Sequence, residues 1–574
     1  MGHKALFRFA WALSEGYRGR LLLFVFLLLI ASLLESVSIT LVLPVLSAIS
    51  GGSGGGSVVK MLEEMTAGID QMTLIYSVVG ILIVVMFFRF LFGLFAECYK
   101  AKLAHHIRLS LRMKMYDQYI NAKYEFVQRK KHGELLHNIT TEAASSGGFL
   151  VQSANMFFEG MVFLSLYTTI FFADVKIALF ATGVAIVGII VSRWLGSKYM
   201  VMIGRRLIEV QQVLTSYLSE AFSSIRDVKM LGLAPSFMGK YEKESLKFIR
   251  LAVLSVFLSA VPSNSAHVIV ALAFGGLLMH YTQNVGLSPE AAIPLLGFFA
   301  LAFHRLATAI MKMSTAWMTL SKKFPSLELL WKVFQGDMPR EGSRERESIE
   351  SIDGDIVFEN VSYAYPDGAN VVKDFSCTLP KGDLSVIIGK SGAGKSTLIN
   401  MIVRLIDPSS GKITVGGKDI NAYDIGSWRK RIGFVSQSPC LFSGTIRENM
   451  EVVGVTDEAT LQEALEVAGF HEIDKQLSKG LDSEVGEGGG QVSGGQRQRI
   501  VIARALALEP DVLILDEATS ALDKDNEELI LANLHRYAKE KGMTVIAVSH
   551  RQAIMRFADK IIDVHALEAA PGVL

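Results

Sequence analysis

A chain of 574 residues is too long for one hydrophobic core, so at least two domains are expected. Half of its residues are hydrophobic and the mean hydropathy is +0.36, which excludes an ordinary soluble protein. A net charge of +1 excludes a general binder of polyanions, and no nucleic-acid partner is expected.

The apolar excess falls in the first part of the chain. Stretches of about 20 mostly apolar residues, the length that crosses a bilayer, occur at 21–46, 74–95, 149–172, 177–195, 251–281 and 291–315. Pro262, Asn264 and His267 interrupt the fifth. The first run is far longer than the apolar part of a signal peptide and has no small-residue cleavage pattern, so it is expected to persist as a span. Lysine and arginine crowd the start of the chain and the links from span two to three and from span four to five. The alternate loops are almost free of them, which predicts cytoplasmic termini. Both basic links are long and helical in pattern, so the helices are expected to continue beyond the bilayer. The segment Gly51, Gly52, Ser53, Gly54, Gly55, Gly56, Ser57 is a flexible linker by composition and is assigned no function. The cysteines Cys98, Cys377 and Cys440 fit neither a disulfide framework nor a zinc site and are expected as reduced thiols.

Residues 336–355 are polar and charged, as in a surface linker. Strands then alternate with helices, as in an α/β domain. The strand 384–388 runs into Gly389, Lys390, Ser391, Gly392, Ala393, Gly394, Lys395, Ser396 and Thr397, and an apolar helix follows. This is a P-loop in its required strand–loop–helix setting. Its glycines let backbone amides turn toward phosphates, and the helix N-terminus adds a positive dipole. Lys395 is expected to neutralise β- and γ-phosphate charge, and Ser396 to ligate Mg²⁺. The apolar strand 512–515 ends in Asp516 and Glu517. Asp516 is expected to hold Mg²⁺ and Glu517 to polarise the attacking water. The bland alternatives are a chance glycine-rich turn and a solvated acidic strand end; the joint occurrence of both motifs disfavours them.

Between the two motifs lie Val492, Ser493, Gly494, Gly495 and Gln496. With them the chain resembles the ABC transporters, whose signature has leucine where Val492 stands. The resemblance implies a multidomain fold: an all-α six-helix transmembrane domain of ABC exporter type over 1–325, a linker over 326–354, and an α/β P-loop ABC ATPase domain over 355–574. It implies ATP and Mg²⁺ as ligands. Ser493 and its glycines would contact the γ-phosphate of ATP held by a second subunit. Tyr365 would stack on adenine, with Tyr363 as the substitute candidate. Gln437 would sense Mg²⁺, Ser520 to Asp523 would cross the dimer interface, and His550 would reach the γ-phosphate. Glu484 to Glu487 resembles the segment that touches the cytoplasmic helices, although Gly488 replaces the arginine usual there. The tips 124–133 and 223–232 would couple the two halves. With one P-loop and one signature per chain, the resemblance implies a dimer, a homodimer ahead of a heterodimer, that turns its cavity outward on binding ATP.

Ionisable residues inside spans are functional candidates. Arg89 lies roughly 25 Å along the second span and Arg305 roughly 22 Å along the sixth, taking about 1.5 Å per residue. Lys312 is on nearly the same helix face as Arg305, and His304 adjoins it. Such a ring of charge suits a phosphate or pyrophosphate headgroup; pairing with Glu35 or Glu159, or snorkelling, is the alternative. Leu34 and Glu35 leading to Leu43 and Pro44, and Phe303, His304 and Arg305 with residues 324–328, resemble the bacterial flippases of lipid-linked oligosaccharides. An amphipathic, anionic cargo, membrane lipids as surroundings and a bacterial inner membrane are therefore expected. Peptide exporters, lipid A-type flippases and a non-pumping ATP-gated channel or regulator remain as alternatives.

Overall fold

Inside a bilayer the backbone must satisfy its own polar groups, and the apolar runs do so as helices. The structure, a computed structural model, describes residues 3–42, 71–173, 193–280, 289–335, 338–342, 346–365, 370–470 and 479–564, with scattered positions in 174–192. The helices of the first half are α1 (His3–Leu13), α2 (Arg18–Thr40), α3 (Gln71–Ile120), α4 (Tyr124–Gln128), α5 (Ala143–Ala173), α6 (Val201–Ser223), α7 (Ala234–His280) and α8 (Pro289–Phe334). Four stretches among the described residues are long and apolar enough to cross a membrane: Arg18–Thr40, Tyr76–Ile120, His132–Phe171 and Ala234–Pro262. They hold the expected first, second and third spans and the start of the fifth, and α8 runs through the sixth. The expected fourth span lies largely outside the described residues, as does the glycine–serine loop at 51–57.

Pro262 does not end the fifth span. It lies buried inside α7, which continues to His280. The 50 residues of α3 make a rod on the order of 75 Å long, more than twice a hydrocarbon core of about 30 Å. The expected extension beyond the bilayer is thus built as one unbroken helix. Short helices occupy both expected tips, α4 in the first and Ile225–Met230 in the second.

Close packing of these rods depends on small residues. A Cβ at Gly204 of α6 would lie 2.2 Å from the Lys322 carbonyl oxygen of α8, so only glycine permits that crossing. Phe149 of α5 meets Phe324 of α8 with ring centroids 5.6 Å apart, and Phe9 of α1 sits edge-on to Trp331 at 4.8 Å.

The chain divides into two compact units, one of Met1–Ala122 with Val127–Pro339, the other of Lys123–Phe126 with Arg340–Leu574. Because α8 runs to Phe334, the first part of the expected linker is helical. In the second unit an antiparallel sheet has the order β2–β1–β4–β5, with β1 (Ile356–Ala364), β2 (Asn370–Leu379), β4 (Ser410–Val415) and β5 (Lys418–Asp419). A parallel sheet has the order β6–β7–β8–β3–β9, with β3 (Leu384–Ile388), β6 (Ile432–Val435), β7 (Val512–Asp516), β8 (Thr544–Val548) and β9 (Lys560–Asp563).

Both faces of the parallel sheet are covered, which is why its strands read as continuous apolar runs. Val512 and Ile514 of β7 enter one core with Phe358, Val361 and the helix after the P-loop, α9 (Lys395–Ile402). Leu513 and Leu515, pointing the other way, enter a second core. That core holds α10 (Gly494–Ala507) and α11 (Lys524–Lys541). Trp428 is fully buried, and its indole N–H donates to the Ile402 carbonyl at 2.8 Å, fixing the far end of α9.

Candidate functional site

Parallel α/β sheets bind ligands beyond the C-terminal ends of their strands. Three of the motifs leave the sheet at that edge. The P-loop follows β3, Asp516 ends β7 and pairs in register with Val548, and Ser549 and His550 follow β8. Gly394 closes the loop with φ 87°, and a Cβ there would meet Val372 at 2.8 Å and the Val371 carbonyl at 3.0 Å. Any other residue at this position would be strained and would push the loop off β2. The Lys395 ammonium is held across the loop by the carbonyls of Gly389 (2.7 Å) and Lys390 (2.9 Å). Thr397 is buried beneath it, while Ser391 and Gly392 are exposed or partly so at the rim.

The Ser396 hydroxyl bonds to Asp516, with Lys395 close by. Burial, then the charge of Glu517, pushes the Asp516 carboxyl above its ordinary range, while the Ser396 bond and Lys395 charge pull the other way. A hydroxyl and one carboxylate brought together are hard oxygen donors, the set that suits Mg²⁺ when substrate phosphates complete its shell. Among the described residues no group of three or more His, Cys, Asp or Glu side chains is gathered as for a metal ion.

Glu517 has a left-handed backbone, φ 47°, costly for a side-chain-bearing residue. Its N–H donates to the Val548 carbonyl at 3.0 Å, and its carboxylate accepts from the Gln437 amide at 2.7 Å. Gln437 and Glu517, predicted separately, are therefore partners. His550 is exposed and is held by no hydrogen bond or ion pair among the described residues. Tyr365 is 36% exposed, edge-on to Tyr363 at 5.1 Å, whereas Tyr363 is 3% exposed. Only Tyr365 has a ring face available to a base.

Ser493 caps α10 in a reciprocal box with Gln496, and Gly494 is exposed with it at the helix start. Val492 is buried in the second core, so the valine replacing leucine serves packing. A Cβ at Gly494 would sit 3.4 Å from Ala521, which puts the signature beside the Ser520–Asp523 loop. Asp523 accepts from Asn526 at 2.7 Å at the start of α11.

Sequence reading missed the residues that hold this loop. Gln498 bonds the Ser520 hydroxyl (3.2 Å) and accepts from the Ala521 amide (3.1 Å). Arg551 donates to the Ser520 carbonyl (2.6 Å) and to Glu527 (2.9 Å). Their proximity to the signature and to His550 was the available signal.

In the membrane unit, Arg89, Arg305 and Lys312 are brought into one network with the carboxylates of Glu35 and Glu159. Arg89 pairs with Glu35 at 3.0 Å and Lys312 with Glu159 at 3.0 Å. Arg305 bonds both, Glu159 at 3.3 Å and Glu35. Glu35 and Glu159 are 5% and 6% exposed. Lys312, at the rim of the network, is exposed, as is His304, which precedes Arg305 on α8.

Residues 21–312 match the ABC transporter transmembrane region and residues 372–520 the ABC transporter family. The chain is 27% identical to the ATP-dependent lipid A-core flippase of Bordetella avium (strain 197N), over 86% of this chain and 83% of that one. It is 31% identical to the Toxin RTX-I translocation ATP-binding protein of Actinobacillus pleuropneumoniae, over 60% of this chain and 49% of the other, so it spans about half of that relative. The structure of a bacterial Atm1-family ABC exporter with ATP bound superposes with a TM-score of 0.81, covering 97% of this chain and 99% of that one at 20% identity, a likeness of fold.

Proposed function

We propose that this chain, which belongs to the ABC transporter family, is one half of a homodimeric flippase for an amphipathic, anionic, lipid-linked cargo. The family makes it a multi-pass membrane protein of the exporter type, in which hydrolysis of ATP is coupled to transport and ATP is bound with Mg²⁺. Lys395 and the P-loop amides would hold the phosphates, and Ser396 and Asp516 the metal, which when bound offsets phosphate charge. Glu517, oriented by Gln437, would polarise the attacking water. Ser493 and Gly494 would close on the nucleotide of the second copy, and His550 would complete the contact. Closure would turn the cavity outward, and hydrolysis would reset it. A bacterial inner membrane is the proposed location.

The observation that carries the cargo reading is the network of Arg89, Arg305 and Lys312. Three cations against two carboxylates leave one positive charge among the spans, and Arg89 and Lys312 form its accessible rim. A phosphate or pyrophosphate headgroup supplies the missing negative charge and has the oxygens to accept several N–H donors at once. The lipid A-core flippase is a relative whose name likewise specifies a lipid cargo.

The test compares ATP hydrolysis by the wild type and Glu517→Gln in lipid nanodiscs, with and without a pyrophosphate-linked lipid saccharide. The expected result is basal hydrolysis reduced about 10²–10⁴-fold by the substitution and altered by the lipid in the wild type. Hydrolysis indifferent to that lipid would remove the anionic-lipid cargo and leave the exporter. No hydrolysis by the wild type would remove the homodimeric pump.

A further inference from the structure

A second basic cluster lies where α3, α5 and α8 meet, and it is built unlike the first. Gly147 and Gly148 sit on α5 just before the third span, and two cations from the neighbouring helices fill the space they leave. A Cβ at Gly148 would stand 2.6 Å from the Lys323 ammonium and 3.7 Å from Nη2 of Arg108; one at Gly147 would meet Cγ of Arg108 at 2.9 Å. Both cationic heads therefore converge on one point of the α5 backbone. Burial, with the charges of Arg108 and Lys322, holds the Lys323 ammonium below its usual range, and no carboxylate acts on it in return.

Among the described residues, Arg108, Lys322 and Lys323 have no ion-pair partner. Nε of Arg108 is buried without a hydrogen bond. On the same turn as the glycines, the Ser146 hydroxyl is 1% exposed and also has no partner. Arg305 shows how the fold treats a buried cation that needs only itself: it places two carboxylates on it. Here it places none. Buried positive charge without a counter-charge is costly, and a guanidinium fork beside an ammonium matches the oxygens of phosphate.

We infer that Arg108 and Lys323 form a binding site for a phosphate group at the cytoplasmic surface, separate from the cargo network. Gly148 directly precedes the third span, while Lys323 and Arg108 follow the ends of the sixth and second spans on their cytoplasmic extensions, so the site lies on the cytoplasmic side, between the headgroup layer and the helix extensions. Phosphate of this kind has two sources, the headgroup of an acidic phospholipid and free inorganic phosphate. The inference stands whether or not the cargo is anionic, because it uses none of Arg89, Arg305, Lys312 or His304.

The full-length protein would be purified from mixed phosphatidylglycerol and phosphatidylcholine and its retained lipids counted by native mass spectrometry, with binding of ³²P-labelled inorganic phosphate measured in parallel. The wild type should retain phosphatidylglycerol over phosphatidylcholine. Arg108→Gln with Lys323→Gln should weaken that retention about 25-fold, two charges at about fivefold each. Arg108→Lys with Lys323→Arg keeps both charges and should keep retention. Gly148→Ala keeps both charges but intrudes on the Lys323 head, and should reduce retention. Saturable inorganic phosphate binding lost in the Gln pair, without lipid retention, assigns the free anion. Retention and phosphate binding that are both unchanged in the Gln pair, or lost equally in the charge-preserving pair, would overturn the site.

Discussion

Arg551 connects two parts of the nucleotide unit that sequence motifs describe separately. It follows His550 and donates to the Ser520 carbonyl, the Leu522 carbonyl and the Glu527 carboxylate. Glu527 is itself buried and accepts from the Thr519 hydroxyl at 2.6 Å. These bonds tie the strand end carrying His550 to the 520–523 loop. Arg551 touches no P-loop residue, so its removal should leave nucleotide affinity alone. Arg551→Ala should lower kcat about tenfold with KM for ATP unchanged, since each charged hydrogen bond lost is worth about 1.5–3 kcal/mol. Steady-state ATPase kinetics check this; a parallel rise in KM would mean that the residue supports the P-loop instead. The contrast with Glu517 shows what was legible at this scale. Phosphate and metal ligands come from short contiguous patterns with an obvious chemistry, so Lys395, Ser396, Asp516 and Glu517 could be named from sequence. Arg551 and Gln498 act through a loop that only the folded chain brings beside them.

At the scale of elements, the network in the spans joins four helices: Glu35 on α2, Arg89 on α3, Glu159 on α5, and Arg305 with Lys312 on α8. The cations were legible because charge inside an apolar run is rare. Glu35 and Glu159 were legible as alternative partners on the same ground, and the structure pairs them. Which cation meets which carboxylate was not legible, because Arg89 and Arg305 stand 54 and 270 positions from Glu35, and apolar runs carry no mark of which faces will meet. For the same reason the helical character of the spans could be predicted while the close α6–α8 crossing at Gly204 could not. Removing one member of a buried pair strands the others, so Glu159→Gln should destabilise the membrane unit by about 3–5 kcal/mol. Arg89→Gln should cost less, because Arg89 is half exposed and Glu35 keeps Arg305. Thermal unfolding in detergent would rank the two, and the reverse order would show that Arg89, not Arg305, is the main counter-charge of Glu35.

For the whole molecule, the decisive fact is how the nucleotide residues divide within one chain. Within the chain Gln437 bonds Glu517, Ser396 bonds Asp516, and the charge of Lys395 acts on Asp516. Among the described residues the Ser493 hydroxyl bonds only the Gln496 amide of its own cap, and Ser493 is exposed with Gly494. If a second copy supplies Ser493, two different inactive chains should repair each other. Lys395→Ala removes the phosphate cation from one chain, and Ser493→Glu places a negative charge at the signature of the other. Each variant alone gives dimers with two defective sites. A mixed dimer has one site with both defects and one with neither. In the mixed dimer that the two tags select, one site of two is intact, so hydrolysis should return to about half of the wild-type rate if the sites work independently. The measurement is ATPase activity of the two variants co-expressed and co-purified through different tags, against each expressed alone. Recovered hydrolysis would place Ser493 against the P-loop of the second copy, in a site shared between copies. A co-purified pair as inactive as its parents would mean either that each chain completes its site alone or that one intact site is insufficient, and Ser493→Glu mixed with wild type separates these: half activity supports the first, near-complete loss the second.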